Sequence, residues 1–118
     1  MNLIRLVSIL ACLAATGGAA LAHAIVIGST PRAEAVVTGD TVPVEIRFNS
    51  RIDAPRSHLK LFRIDGDAVS LPLSDAGSDD MLKASARGLA PGRYRLHWQT
   101  LSPDGHISQG DIPFTVSR

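Results

Sequence analysis

The chain has 118 residues, of which twelve are Lys or Arg, eleven are Asp or Glu and one is Cys. That length holds one hydrophobic core and leaves too little for a second. A formal charge of +1 excludes the basic excess that binding to a nucleic-acid backbone needs, and a single cysteine excludes an intramolecular disulfide.

Residues 1–22 read as a secretory signal. Arg5 supplies the positive start, residues 6–15 the apolar stretch, and Ala20-Leu21-Ala22 a small-x-small cleavage site. The apolar stretch is ten residues long, about half of what a spanning helix needs. Cleavage after Ala22 predicts an exported chain of residues 23–118 that begins at His23 and is not embedded in the membrane. Arg5 and Cys12 leave with the signal while all eleven acidic residues remain, so the mature chain is formally neutral and must be stabilised by packing alone. A rival processing site, Ile9-Leu10-Ala11-Cys12, loosely resembles a lipobox. Its leucine and the short apolar run before it fit that role poorly, and cleavage there would leave His23 internal.

Beyond His23 the pattern is that of strands broken by turn residues, with no apolar period near 3.6. Val42, Val44, Ile46 and Phe48 alternate with Pro43, Glu45 and Arg47, which predicts a strand with one buried face, and Pro43 marks a strand start or edge. Residues 59–64 form an apolar run, Asp65-Gly66 is a tight-turn dipeptide, and residues 68–73 complete a hairpin. Residues 74–80 read as a solvated loop, since Asp75, Asp79 and Asp80 lack the alternating oxygen ligands of a calcium loop. A short strand over 81–86 leads to Gly88 and the Pro91-Gly92 turn. Tyr94, Leu96 and Trp98 then alternate with Arg93, Arg95, His97 and Gln99, so the first set points inward and the second outward. A loop over 102–110 precedes a last strand with Phe114 and Val116 on one face. About seven short strands predict an all-β fold, a Greek-key sandwich or small barrel of immunoglobulin-like or cupredoxin-like form.

Two places carry metal-capable groups. A terminal His23 offers its α-amine and its nearer ring nitrogen as a chelate, and Asp104 and His106, at i and i+2, lie on one face of an extended chain. Two imidazoles, a carboxylate and an amine make a mixed nitrogen and oxygen set that suits Cu(II), one ion per mature chain. The plain alternative is that Ser102-Pro103-Asp104-Gly105-His106 is an ordinary turn, with Pro103 and Gly105 setting the backbone. The metal reading requires both regions to meet at one pole of the fold. His97 and His58 read as surface residues, with His97 on the strand that feeds the loop.

Taken together, His23-Ala24, Ser29-Thr30-Pro31, Ile46-Arg47-Phe48, Gly92-x-Tyr94-x-Leu96-x-Trp98, Ser102-x-Asp104-Gly105-His106-x-x-x-Gly110 and Phe114-x-Val116 resemble the CopC family of periplasmic copper-resistance proteins. The resemblance implies a Greek-key β-barrel, a Cu(II) site of His23, Asp104 and His106, and copper resistance, storage or delivery to an inner-membrane permease of the CopD type. It implies no catalysis, and the chain is expected to be a monomer. Some members add a Cu(I) site rich in methionine, yet Met81 alone survives processing here. Some carry a glutamate just after the phenylalanine of the core strand, where this chain reads Phe48-Asn49-Ser50, with Ser50 able to hydrogen bond near the metal. Two other functions use the same residues: an oxidative enzyme with a copper histidine brace, and a metal-free immunoglobulin-like interaction module. Oxygen consumption with ascorbate separates the first, and failure to retain copper the second.

Overall fold

The computed structural model describes residues 23–118; the expected signal peptide, with Cys12 and the lipobox-like stretch, lies outside them. Eight strands follow in chain order: β1 Val26–Thr30, β2 Ala35–Thr38, β3 Val42–Phe48, β4 His58–Arg63, β5 Ala68–Leu71, β6 Met81–Ala86, β7 Gly92–Leu101 and β8 Ile107–Ser117. A single 3-10 turn, Ala54–Arg56, joins β3 to β4. The strands form a three-stranded sheet, β1-β3-β6, and a five-stranded sheet, β2-β8-β7-β4-β5, in which β2 alone pairs parallel, to β8. No helix among the described residues is long and apolar enough to cross a membrane. The expected all-β sandwich is the observed one.

The core lies between the sheets, and the alternation that predicts it is physically realised. Val42, Val44, Ile46 and Phe48 of β3 are buried, and so are Tyr94, Leu96 and Trp98 of β7 and Ile112, Phe114 and Val116 of β8. Phe48 meets Trp98 edge-to-face at 5.1 Å between centroids, and Tyr94 stacks on Phe114 at 5.7 Å. Such aromatic pairs contribute about 0.5–1.5 kcal/mol beyond the area they bury. The Tyr94 hydroxyl donates to the carbonyl of Ala90, four residues upstream, at 2.6 Å, the corner bond that fastens a strand entry in immunoglobulin-like sandwiches. Pro43 behaves as its chemistry requires. The β1 register ends at Glu45, so at Pro43 the strand has a partner on one side only, Ser85 of β6.

Eight strands among the described residues agree with the about seven expected, and β1 and β2, of five and four residues, are the ones the alternation does not single out. Two boundaries need correction. The loop expected over 102–110 is far shorter, since β8 starts at Ile107. Ser108, Gln109 and Gly110 have weak strand chemistry but are carried by the ladder, opposite Thr100, Gln99 and Trp98. The hairpin strand ends at Leu71 rather than 73, before Pro72, which has no N–H to give. The 74–80 segment is also tied down: Asp80 and Asp79 carbonyls accept from Phe48 and Ile52 N–H at 2.8 Å each.

Gly110 explains why a glycine ends the loop motif. A Cβ there would stand 2.7 Å from Cζ2 and 2.9 Å from Cε2 of Trp98, whose ring is braced by Phe48. Gly110→Ala therefore overpacks a buried indole and is expected to cost about 1–3 kcal/mol in urea unfolding. Gly28→Ala, with nothing within 4 Å, is the control. Equal stability of the two variants would contradict this account of Gly110.

Candidate metal centre

The β7–β8 connection is built by one serine. Ser102 N–H donates to the His106 carbonyl at 2.8 Å, its carbonyl accepts from Gly105 N–H at 2.9 Å, and its Oγ accepts from His106 N–H at 2.9 Å. The same hydroxyl donates to Oδ1 of Asp104. Gly105, at φ +91, takes the left-handed conformation that closes the turn and that other residues rarely adopt. Ser102 is buried, while Asp104 and His106 are exposed at its rim. A buried hub thus fixes two exposed functional groups.

Those two groups touch. Oδ2 of Asp104 lies 3.0 Å from Nδ1 of His106. The Ser102 hydroxyl first, and the His106 ring second, hold the Asp104 carboxyl below its ordinary value. That stabilisation is present above the unfolded pKa, about 3.9, and is lost only as pH falls through the lower folded value, so the group is an anion at neutral pH. Oδ2 and Nδ1, at 3.0 Å, stand at a separation that two neighbouring donors to one ion can have when each is about 2 Å from it. Each carboxylate oxygen still has unused lone-pair capacity. The pair has the chemistry of half a metal site.

The N-terminal segment arrives at the same pole. Ala24 N–H donates to Oγ of Ser108, two residues past His106, at 3.0 Å. Ile25 N–H donates to Oδ1 of Asn49 at 2.9 Å, and Asn49 N–H returns to the Ile25 carbonyl at 2.9 Å. Ala24 is buried against the core and His23, next to it, is exposed. The main chain therefore brings His23 to the β8 side of the Asp104–His106 turn. Among the described residues, no group of three or more His, Cys, Asp or Glu side chains stands together as a ready metal cage. The chain here still runs through Ala22, so the nitrogen of His23 is a peptide nitrogen and the chelating amine exists only after cleavage.

The other histidines sit elsewhere. Nδ1 of His97 is 2.9 Å from Oδ1 of Asp111, which also accepts from Nη1 of Arg95 at 2.8 Å, and Arg95 covers the Phe62 ring at 4.2 Å. Partial burial favours neutral Asp111, but His97 and Arg95 together outweigh it and hold the carboxyl below its ordinary value. His97 stands four residues before the end of β7, roughly 13 Å of strand from the turn. It belongs to the outer face of the five-stranded sheet, and His58, opposite Gln99, is exposed at the start of β4. Asn49 rather than Ser50 reaches the N-terminal segment. Neither Asn49 nor Ser108 stands out in the sequence, because a backbone hydrogen bond from a distant segment leaves no periodic signal.

A match to the CopC domain family covers residues 26–117. The chain belongs to the CopC domain family. It is 28% identical over 100 residues to the copper transport protein CutJ of Bacillus subtilis, an alignment covering 82% of this chain and 18% of CutJ, so the chain spans less than a fifth of that relative. It is likewise 28% identical over 98 residues to YobA of Escherichia coli K12, covering 80% of this chain and 79% of YobA. Among solved structures it resembles CopC from Methylosinus trichosporium OB3b, with TM-score 0.72 and 28% identity over 80% of this chain and 94% of that one. PcoC of Escherichia coli, described as a methionine-rich copper resistance protein, shares the fold with TM-score 0.69 and 22% identity, over 81% of this chain and 100% of that one.

One buried group at this pole is unsatisfied. Thr100, directly opposite Ser108 in the ladder, is 1% exposed and its hydroxyl has no hydrogen-bond partner. Thr100→Val keeps the shape and removes the unpaired group, so unfolding is expected to become harder by about 1 kcal/mol. A loss of stability instead would mean that the hydroxyl is bonded in solution.

Proposed function

We propose that residues 23–118 form a periplasmic Cu(II)-binding domain that holds one cupric ion through the amine and imidazole of His23, the carboxylate of Asp104 and the imidazole of His106. The observation that carries this reading is the meeting of the two chain regions: Ala24 bonded to Ser108, beside a pre-oriented Asp104–His106 pair. Imidazole, amine and carboxylate donors suit the cupric ion, whereas soft thioethers suit the cuprous one. With Met81 as the sole methionine after residue 1, the chain has no basis for a methionine-rich cuprous site. The domain is a carrier or reservoir for copper resistance or delivery, not an enzyme, and its recipient is an inner-membrane copper permease of the CopD type. The similarity to CutJ, a copper transport protein far longer than this chain, supports a place beside a transporter.

Binding works by displacement of protons and water. His23 supplies two nitrogens that close one ring, which makes the second bond nearly free of further ordering cost. Asp104 adds the negative charge that partly offsets the ion, and its hydrogen bond from Ser102 keeps the carboxylate ionised and aimed. The amine and each imidazole must lose the one extra proton of its cationic form before its nitrogen lone pair can bind the ion.

Adding one residue ahead of His23 moves the amine out of ring-closing reach. Competition titration of Cu(II) against a chelator is expected to show a loss of more than about tenfold in affinity, comparable to or above that of losing an outer hydrogen-bond partner. Unchanged affinity would overturn the amine's role. His106→Ala should weaken binding similarly yet shift stability by under about 0.5 kcal/mol, since its side chain is 46% exposed.

Affinity is also expected to fall as pH is lowered from about 8 to about 5, because protons compete with the ion for amine and imidazole nitrogens. A flat profile over that range would exclude both as ligands.

A further inference from the structure

The three hydrogen bonds that hold residues 24 and 25 do more than cover unpaired backbone. Asn49 both donates through its N–H and accepts through its side chain, so it makes a reciprocal rung with Ile25 just beyond the β1–β3 ladder. Ser108 makes the second anchor from β8, the strand that begins directly after His106. The two anchors come from different sheets and converge on consecutive residues. His23 is one peptide away, with its Cα about 3.8 Å from that of the fixed, buried Ala24.

Resting on the copper reading above, we propose that Ser108 and Asn49 are positioning residues: a main-chain clamp that sets the mature N-terminus against the Asp104–His106 turn before the ion arrives. An unanchored terminus would have to be ordered at the moment of binding, and that ordering would be subtracted from affinity. The clamp does the ordering during folding. It also sets what residue 23 presents. The N–H groups of residues 24 and 25 are directed at Ser108 and Asn49, so an ion at His23 meets the amine and imidazole rather than the following main-chain nitrogens.

The test uses the processed chain beginning at His23, with Ser108→Ala, Asn49→Ala and their combination, and Ser108→Thr as the variant that keeps the hydroxyl. In the metal-free protein, amide hydrogen exchange at Ala24 and Ile25 should accelerate at least about tenfold in the combined variant, with β7 and β8 amides unchanged. Affinity for Cu(II) should fall about 10–100-fold, the range for losing partners that orient ligands. The cupric electron paramagnetic resonance spectrum should change in the combined variant, and Ser108→Thr should recover most of the affinity and the parent spectrum. If exchange accelerates while affinity and spectrum stay those of the parent, the clamp does not position the terminus and the proposal falls, with the ligand assignment intact. If exchange does not accelerate, the bonds do not hold the segment and the proposal falls. If the parent itself binds no Cu(II), the ligand assignment falls and takes the positioning role with it.

Discussion

The hydrogen bond from Ala24 to Ser108 is the constraint on which the functional architecture depends. It joins residues 84 positions apart and ties the start of the described chain to the strand that follows the Asp104–His106 turn. Nothing in the strand pattern requires such a contact. A β-sandwich of this size could leave its first residues free, and the separation of three polar residues along the chain would then carry no chemistry. With the segment anchored, Ala24 lies beside the strand that leaves the Asp104–His106 turn, and His23 is the residue next to it.

The pole is built in layers of decreasing burial. Aromatic packing of Phe48, Trp98, Tyr94 and Phe114 fixes β3, β7 and β8 relative to one another. Gly110 lets β8 lie against the Trp98 ring, which sets the hairpin's register two rungs from Ser108. Buried Ser102 then closes the turn and directs Asp104, and Asp104 directs His106. Each layer restrains the next, so the exposed groups inherit the rigidity of the core. This is how a small, disulfide-free domain holds exposed polar groups in place without burying them.

Much of this was legible in the amino-acid sequence because it rests on period-two alternation. Val42 to Phe48 and Tyr94 to Trp98 declare their buried faces, and Asp65-Gly66 declares its hairpin. The boundaries that failed are those where tertiary pairing overrode local chemistry. Ser108, Gln109 and Gly110 have the composition of a loop, yet opposite Thr100, Gln99 and Trp98 they become strand. Likewise Asp79 and Asp80 look purely solvated until their carbonyls are seen to accept from the N–H groups of Ile52 and Phe48. Of the candidate centre, Asp104 and His106 could be picked out as metal-capable side chains. Asn49, Ser108 and the hub role of Ser102 could not, because they act on backbone groups brought close only by the fold.

The central claim is that one cupric ion is held from two distant parts of the polypeptide at once. Crystal diffraction from the processed chain with one equivalent of Cu(II), with anomalous data at the copper edge, tests it most directly. The account predicts a single strong peak within bonding distance of the His23 amine and ring, an Asp104 oxygen and a ring nitrogen of His106. A peak elsewhere on the sandwich, or one touching the turn with the terminus disengaged, would contradict it.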